Sequence, residues 1–127
     1  MAVLYSNTEN KLKTRSVKQM TVKSLAEKIG LKPLLLPDGD REVNGVYCGD
    51  LLSWVMGRAQ CDNAWITIMS NVNVVAVASL SDVSCVILAE GVSLDADAEK
   101  AAADKQINVL VSDKSTYEIA VDLGKVL

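Results

Sequence analysis

Sixteen residues decide the fold: Val43-Asn44-Gly45-Val46-Tyr47-Cys48-Gly49-Asp50-Leu51-Leu52-Ser53-Trp54-Val55-Met56-Gly57-Arg58. Val43, Val46 and Tyr47 favour extended backbone, and the Asn-Gly before them and Gly49 after them bound a strand. The second part is a helix. Asp50 suits its N-cap, Leu51/Val55 and Leu52/Met56 recur at i,i+4, and Gly57 weakens its end. A strand passing through Gly-Asp into a helix is the opening half of a βαβ unit, whose turn is a common ligand position. The turn carries no nucleophile–base pair and no phosphate-loop spacing, so it declares a fold and a site without declaring a reaction.

Downstream the same alternation continues. Residues 64–69 read as a strand introduced by Asp62-Asn63, 84–89 as a buried strand, and 107–111 as a further strong strand. Between the first two lies the ambiguous run 71–80, whose Val72, Val74, Val75 and Val77 have strand propensity. Joining its flanking strands in parallel needs a crossover of about a dozen residues, so the run is expected to be a helix, capped by Ser70 or Asn71 and ended by Ser81-Asp82. An Ala-rich helix is expected over 95–104. A last one opens at Ser115, with Tyr117, Ile119, Ala120, Leu123 and Val126 on its apolar face. From residue 43 the order is β-α-β-α-β-α-β-α, which predicts a layered α/β domain with a mainly parallel sheet.

Upstream, Thr21 can cap a helix with apolar Val22, Leu25, Ala26 and Ile29, closed by Gly30. Residues 31–36 contain Pro33, which confines them to a sheet edge or an irregular segment, and Pro37-Asp38-Gly39-Asp40 is a turn by its chemistry. Residues 1–19 are polar and basic without periodicity and read as a flexible N-terminal extension ahead of a domain over 20–127.

Composition excludes more than it identifies. The 127-residue chain fits one domain with a real core, and its net charge of −3 argues against nucleic acid as partner. Basic residues gather only modestly, in the run from Lys11 to Lys18. With no histidine, the commonest general base and every imidazole metal site are gone. Cys48, Cys61 and Cys85 show no C-x-x-C spacing and read as free thiols of a reducing cytosol, so no metal and no cofactor is expected. No apolar run reaches the ~18 residues that span a bilayer, and a cytoplasmic, non-catalytic protein is expected.

In an open parallel sheet, ligands bind beyond the carboxyl ends of the strands. On this chain those ends supply Gly49 and Asp50, then Ser70, Asn71 and Asn73, then Glu90 and Gly91, then Ser112 and Asp113. A small anionic ligand is expected between the Gly49-Asp50 turn and residues 70–73, where two helices would begin with free N–H groups and a positive dipole end. The helix from Leu51 to Arg58 is apolar nearly all round, so it lies centrally or lines a subunit interface, with Trp54, Met56 and Arg58 as interface residues.

Asp40-Arg41-Glu42-Val43-Asn44-Gly45-Val46-Tyr47-Cys48-Gly49-Asp50-Leu51-Leu52-Ser53-Trp54-Val55-Met56 resembles the DRTGG domain. So do Trp65-Ile66-Thr67-Ile68, the run 71–78, and Ile87-Leu88-Ala89-Glu90-Gly91. The likeness covers roughly residues 20–127. Such domains accompany catalytic domains in HPr kinase-like proteins, phosphotransacetylases and pyrophosphatases with CBS domains, and they also stand alone. The resemblance implies a three-layer α/β/α domain, commonly a homodimer, with a regulatory or ligand-sensing role, and it supports the helix over 72–80. It carries Asp40, Arg41, Gly45, Gly49 and Asp50 over as motif positions. A nucleotide-like ligand, or docking on a separately encoded kinase or metabolic enzyme, follows from the same resemblance.

Overall fold

The computed structural model describes residues 20–127, so the expected extension at 1–19, including the basic run Lys11 to Lys18, lies outside the described residues. The elements in chain order are α1 (Val22–Ile29), β1 (Lys32–Leu35), β2 (Gly45–Cys48), α2 (Leu52–Arg58), β3 (Asn63–Thr67), α3 (Val72–Ser81), β4 (Cys85–Leu88), α4 (Ala96–Asp104), β5 (Val109–Val111) and α5 (Thr116–Val126). They form one five-stranded sheet in the order β1-β5-β4-β3-β2. β2 through β5 are parallel, each paired with its successor, and β1 adds antiparallel to β5 with a register break between Pro33 and Leu35. The edge position allows Pro33, which has no N–H to give to a ladder on both sides.

The pleat sorts the core into two halves. Ile66, Ile87 and Leu110 face α1 and α5, where they pack with Val22, Leu25, Ile119 and Leu123. Trp65, Val86, Leu88 and Val109 face the other way, against Val55 of α2, Val74, Val75 and Val77 of α3, and Ala98 and Ala102 of α4. The result is the three-layer α/β/α arrangement, with α2, α3 and α4 on one face and α1 and α5 on the other. Burying a large apolar side chain on such a face contributes about 1.5–3 kcal/mol, so both halves matter to stability.

The valine-rich run is the helix α3. Its β-branched residues disfavour a helix only by fractions of a kcal/mol each, and packing between α2 and α4 on the middle of the sheet outweighs that. Asn71 caps it by accepting from the Asn73 N–H, and Asp82 closes it in the left-handed region. Gly30 ends α1 at φ 74°, and Ser115 and Glu118 open α5 with a reciprocal capping box.

Three local expectations change. Asp50 does not cap α2: Leu51 holds the N-cap position without a side-chain bond, and Asp50 reaches sideways to β3. α2 is not central either. It ends its layer beside the edge strand β2, buries only Val55, and leaves Leu51, Trp54 and Met56 at 62%, 54% and 53% exposure. Tyr117 is 75% exposed, because α5 needs only Ile119 and Leu123 fully inside to seat on the sheet.

Candidate functional site

Parallel strands give the sheet two chemically distinct ends, and the residues singled out from sequence divide between them. At the amino ends, Arg41 enters from the turn before β2. Its guanidinium bonds Asp62 Oδ1 at 2.9 Å, Asp82 Oδ1 at 2.8 Å and the Asp82 carbonyl at 2.7 Å. Asp62 precedes β3 and Asp82 ends α3, so one planar fork ties three connections together. Burial acts against the Arg41 charge, but the hydrogen bonds to Asp82 and Asp62 outweigh it and raise its pKa. The Arg41 hydrogen bond and that of the Cys61 thiol (3.3 Å) hold Asp82 below the usual carboxylate range.

The same end holds a buried amide. Asn108 is 2% exposed; its Nδ2 donates to the carbonyls of Asp38 and Ser84 at 2.8 and 2.9 Å, and its Oδ1 accepts from the Asp38 N–H at 2.9 Å. The Ser84 hydroxyl donates to the Glu42 carbonyl. Asp40 lies in the turn beside this network, and Gly45 begins β2, where a Cβ would stand 3.1 Å from the Asn63 amide nitrogen. Asp40, Arg41 and Gly45 are therefore not brought to the carboxyl edge with the other candidates.

At the carboxyl ends, Gly49, Asp50, Asn71, Asn73 and Glu90 do lie along one rim, but several are committed to the fold. Asp50 Oδ1 accepts from the Thr67 hydroxyl at 2.8 Å and from the Ile68 N–H at 3.0 Å, pinning the exit of β2 to the exit of β3. The Gly49 carbonyl accepts the Trp65 indole N–H at 2.9 Å, and a Cβ at Gly49 would stand 3.0 Å from the Tyr47 ring. Asn71 Oδ1 is the helix cap, and Asn73 is exposed. Glu90 takes φ 60° ahead of Gly91 at φ 74°, and their N–H groups donate to Lys114 and Ser112 carbonyls at 2.9 Å each.

The rim opens farther along. A cleft of about 440 Å³ lies between the loop leaving β4 (Gly91, Val92, Ser93), the loop leaving β5 (Ser112, Asp113, Lys114) and the start of β1 (Gly30, Lys32). Topology puts it there. The helices after β2, β3 and β4 all lie on one face, while α5 crosses to the other, so the chain leaves β4 and β5 toward opposite faces beyond the backbone bonds that join Glu90 and Gly91 to Lys114 and Ser112. That divergence is the crevice of an open α/β sheet. A smaller groove of about 260 Å³ adjoins it, lined by Lys28, Ile29, Lys114, Asp122, Lys125 and Val126, with Lys114 shared.

Sequence reasoning named Gly91, Ser112 and Asp113 as strand exits and passed over Lys32, Ser93 and Lys114. Lys114 stands between Asp113 and the Ser115 cap, a readable signal. Lys32 became visible only with the antiparallel direction of β1, which brings the start of that strand opposite Val111, the end of β5. Lys114 donates to Asp122 at 2.9 Å, and that hydrogen bond raises its pKa.

Among the described residues no group of three or more Cys, Asp or Glu is placed to hold a metal ion, and no helix is long and apolar enough to cross a membrane. The three cysteines are free, Cys48 and Cys61 exposed and Cys85 buried. Burial pushes the Cys85 thiol up to about 12.

No protein-family model matches the chain, and no curated protein matches it in sequence. Among solved structures it is similar to the crystal structure of the CBS and DRTGG domains of the regulatory region of Clostridium perfringens pyrophosphatase, complexed with the activator diadenosine tetraphosphate. The TM-score is 0.66 at 10% identity, over 80% of this chain and 44% of that one. The chain thus spans less than half of that structure, and the likeness is one of fold: a DRTGG-like α/β domain.

Proposed function

We propose that the chain is a non-catalytic regulatory module that pairs with a second copy of itself and takes a small anionic or nucleotide-like ligand at the carboxyl edge of its sheet. The observation that carries the reading is α2, whose apolar residues Leu51, Trp54 and Met56 are left uncovered beside an edge strand. β2 ends the sheet with the sequence Gly-Val-Tyr-Cys, without the proline and register break that protect the opposite edge at β1. A two-fold axis at this edge would set β2 against its own copy and bring the two α2 faces together, which is a self-complementary contact. The Arg58 guanidinium lies 3.8 Å from the centroid of the Trp54 ring, and this residue pair is favoured in interfaces.

The regulatory part rests on the fold. The structural neighbour is a regulatory region crystallised with a nucleotide activator, and the perturbed groups of this chain have structural causes, an ion-pair cluster at Arg41 and burial at Cys85.

Light scattering on the full chain at tens of micromolar tests the pairing. The expected species is a dimer that Trp54→Glu converts to monomer, since the substitution would bury an unpaired charge at the contact. A wild-type monomer refutes the pairing and leaves α2 as the docking face for a different protein. Turnover of ATP or pyrophosphate that survives repurification refutes the non-catalytic reading.

A further inference from the structure

The ligand-sensing half of that reading leaves open where the ligand sits and what it is, and the cleft between the β4 and β5 loops carries an answer. The chain is acidic overall, with a net charge of −3. Yet the cleft and its adjoining groove gather Lys28, Lys32, Lys114 and Lys125 against Asp113 and Asp122. An excess of ammonium groups around a concave site on an acidic protein draws anions toward it. Among the described residues no carboxylate pairs with Lys32, whereas Lys114 is held by Asp122 and thereby fixed between the two hollows.

The cleft is not a bare anion site. Asp113 lines it and can only accept, so an occupant must bring hydroxyl or amine donors as well as negative charge. Gly91 keeps that carboxylate approachable, because any side chain there would begin 3.2 Å from Asp113 Oδ1. Val92 and Val111 add apolar wall, and Ser93 and Ser112 add hydroxyls. A volume of about 440 Å³ lies within the range of small-molecule sites.

We propose that this cleft binds a nucleoside phosphate. The ribose hydroxyls donate to Asp113, the base lies against Val92 and Val111, and the phosphates run from Lys32 past Lys114 into the groove bounded by Lys28 and Lys125. The proposal rests on the ligand-sensing reading, and it moves the site away from the Gly49-Asp50 turn, whose carboxylate is already bonded to Thr67 and Ile68.

The test is calorimetry on the full chain with AMP, ADP, ATP, 2′-deoxy-ATP, adenosine and inorganic phosphate, with amide chemical-shift mapping of the best binder. Affinity is expected to rise from AMP to ATP, with adenosine and phosphate alone weaker than either. Lys32→Glu should weaken ATP binding by roughly tenfold or more with the circular dichroism unchanged. Lys125→Glu should weaken ATP more than AMP, and Asp113→Ala should erase the preference for ATP over 2′-deoxy-ATP. ATP binding indifferent to Lys32→Glu, or shifts clustered at residues 49–50 and 71–73, overturns the cleft and leaves ligand sensing standing. No binding by any probe, in samples that light scattering shows to be paired, overturns the cleft and leaves the module defined by its pairing alone.

Discussion

The two ends of the parallel strands use similar residues to opposite effect. At the amino ends, Arg41 bonds Asp62 and Asp82, and Asn108 bonds the Ser84 carbonyl, leaving between them a hollow of only about 90 Å³. At the β4–β5 end of the carboxyl edge, Lys32, Asp113 and Ser93 face a cavity. Where loops converge, polar groups meet and hold the fold together. Where one loop turns to each face of the sheet, backbone bonds from Glu90 and Gly91 to Lys114 and Ser112 still join the loops, but the side chains of Lys32, Asp113 and Ser93 line a hollow. The composition of the two ends is much the same, and only the direction of the connections separates them.

Breaking the amino end should therefore cost stability, and breaking the cleft should not. The largest effect is expected from Asn108→Ala, which leaves the Asp38 N–H and the carbonyls of Asp38 and Ser84 without their amide partner. Urea denaturation should show a loss of about 1–3 kcal/mol, the cost of one buried polar group stripped of its partner, because the Ser84 bond is buried while Asp38 is exposed and its carbonyl keeps the Arg41 N–H. A loss below 1 kcal/mol would mean that water replaces the amide, and the contrast between the ends would weaken.

Arg41→Ala should cost less, about 1 kcal/mol, because its carboxylate partners are partly exposed and solvent screens them. Its acid limb sharpens the test. The Asp82 pKa is lowered in the folded state from the ordinary value of a free aspartate, so its contribution is complete above that value and vanishes as pH falls through the lower folded one. In the Arg41→Ala protein that acid loss should shrink, because only the Cys61 hydrogen bond still holds the Asp82 carboxyl down, read as a smaller change in urea midpoint between pH 5 and pH 2.

Thiol reactivity gives a smaller, yes-or-no contrast within one residue type. At pH 8 Cys48 and Cys61 should react with a thiol reagent in the native protein, while Cys85, buried with its thiol pushed up to about 12, reacts only on unfolding. Three fast thiols would mean that the sheet opens readily at β4. The smallest effect is expected from Lys32→Ala, which should leave stability within about 0.5 kcal/mol of the wild type. A larger loss would make Lys32 a structural residue of the β1 edge and remove the contrast.

Sequence alone determined the order of elements and most of their ends. The turn and cap residues Thr21, Gly30, Pro37, Asn71 and Ser115 act locally, and hydrophobic pattern with β-propensity marked strands at Val46, Ile66, Ile87 and Leu110. Even the ambiguous valine run yielded, because parallel neighbours require a crossover and a helix supplies it. Asp50 shows where local reasoning stops. A carboxylate one residue before a helix looks like a cap, and only the exit of β3 beside it reveals Thr67 and Ile68 as its partners.

The site divided along the same line. The list of strand exits was legible, Gly91, Ser112 and Asp113 included, as was the excess of apolar surface on α2. Which pair of exits would part to make a crevice was not, because that depends on α5 crossing to the face opposite α4. Nor was the company of Arg41 or Lys32 legible. Their partners and neighbours lie far along the chain, and no local rule relates residue 41 to residue 82 or residue 32 to residue 114. Handedness and strand order fix those distances, and they are properties of the assembled sheet.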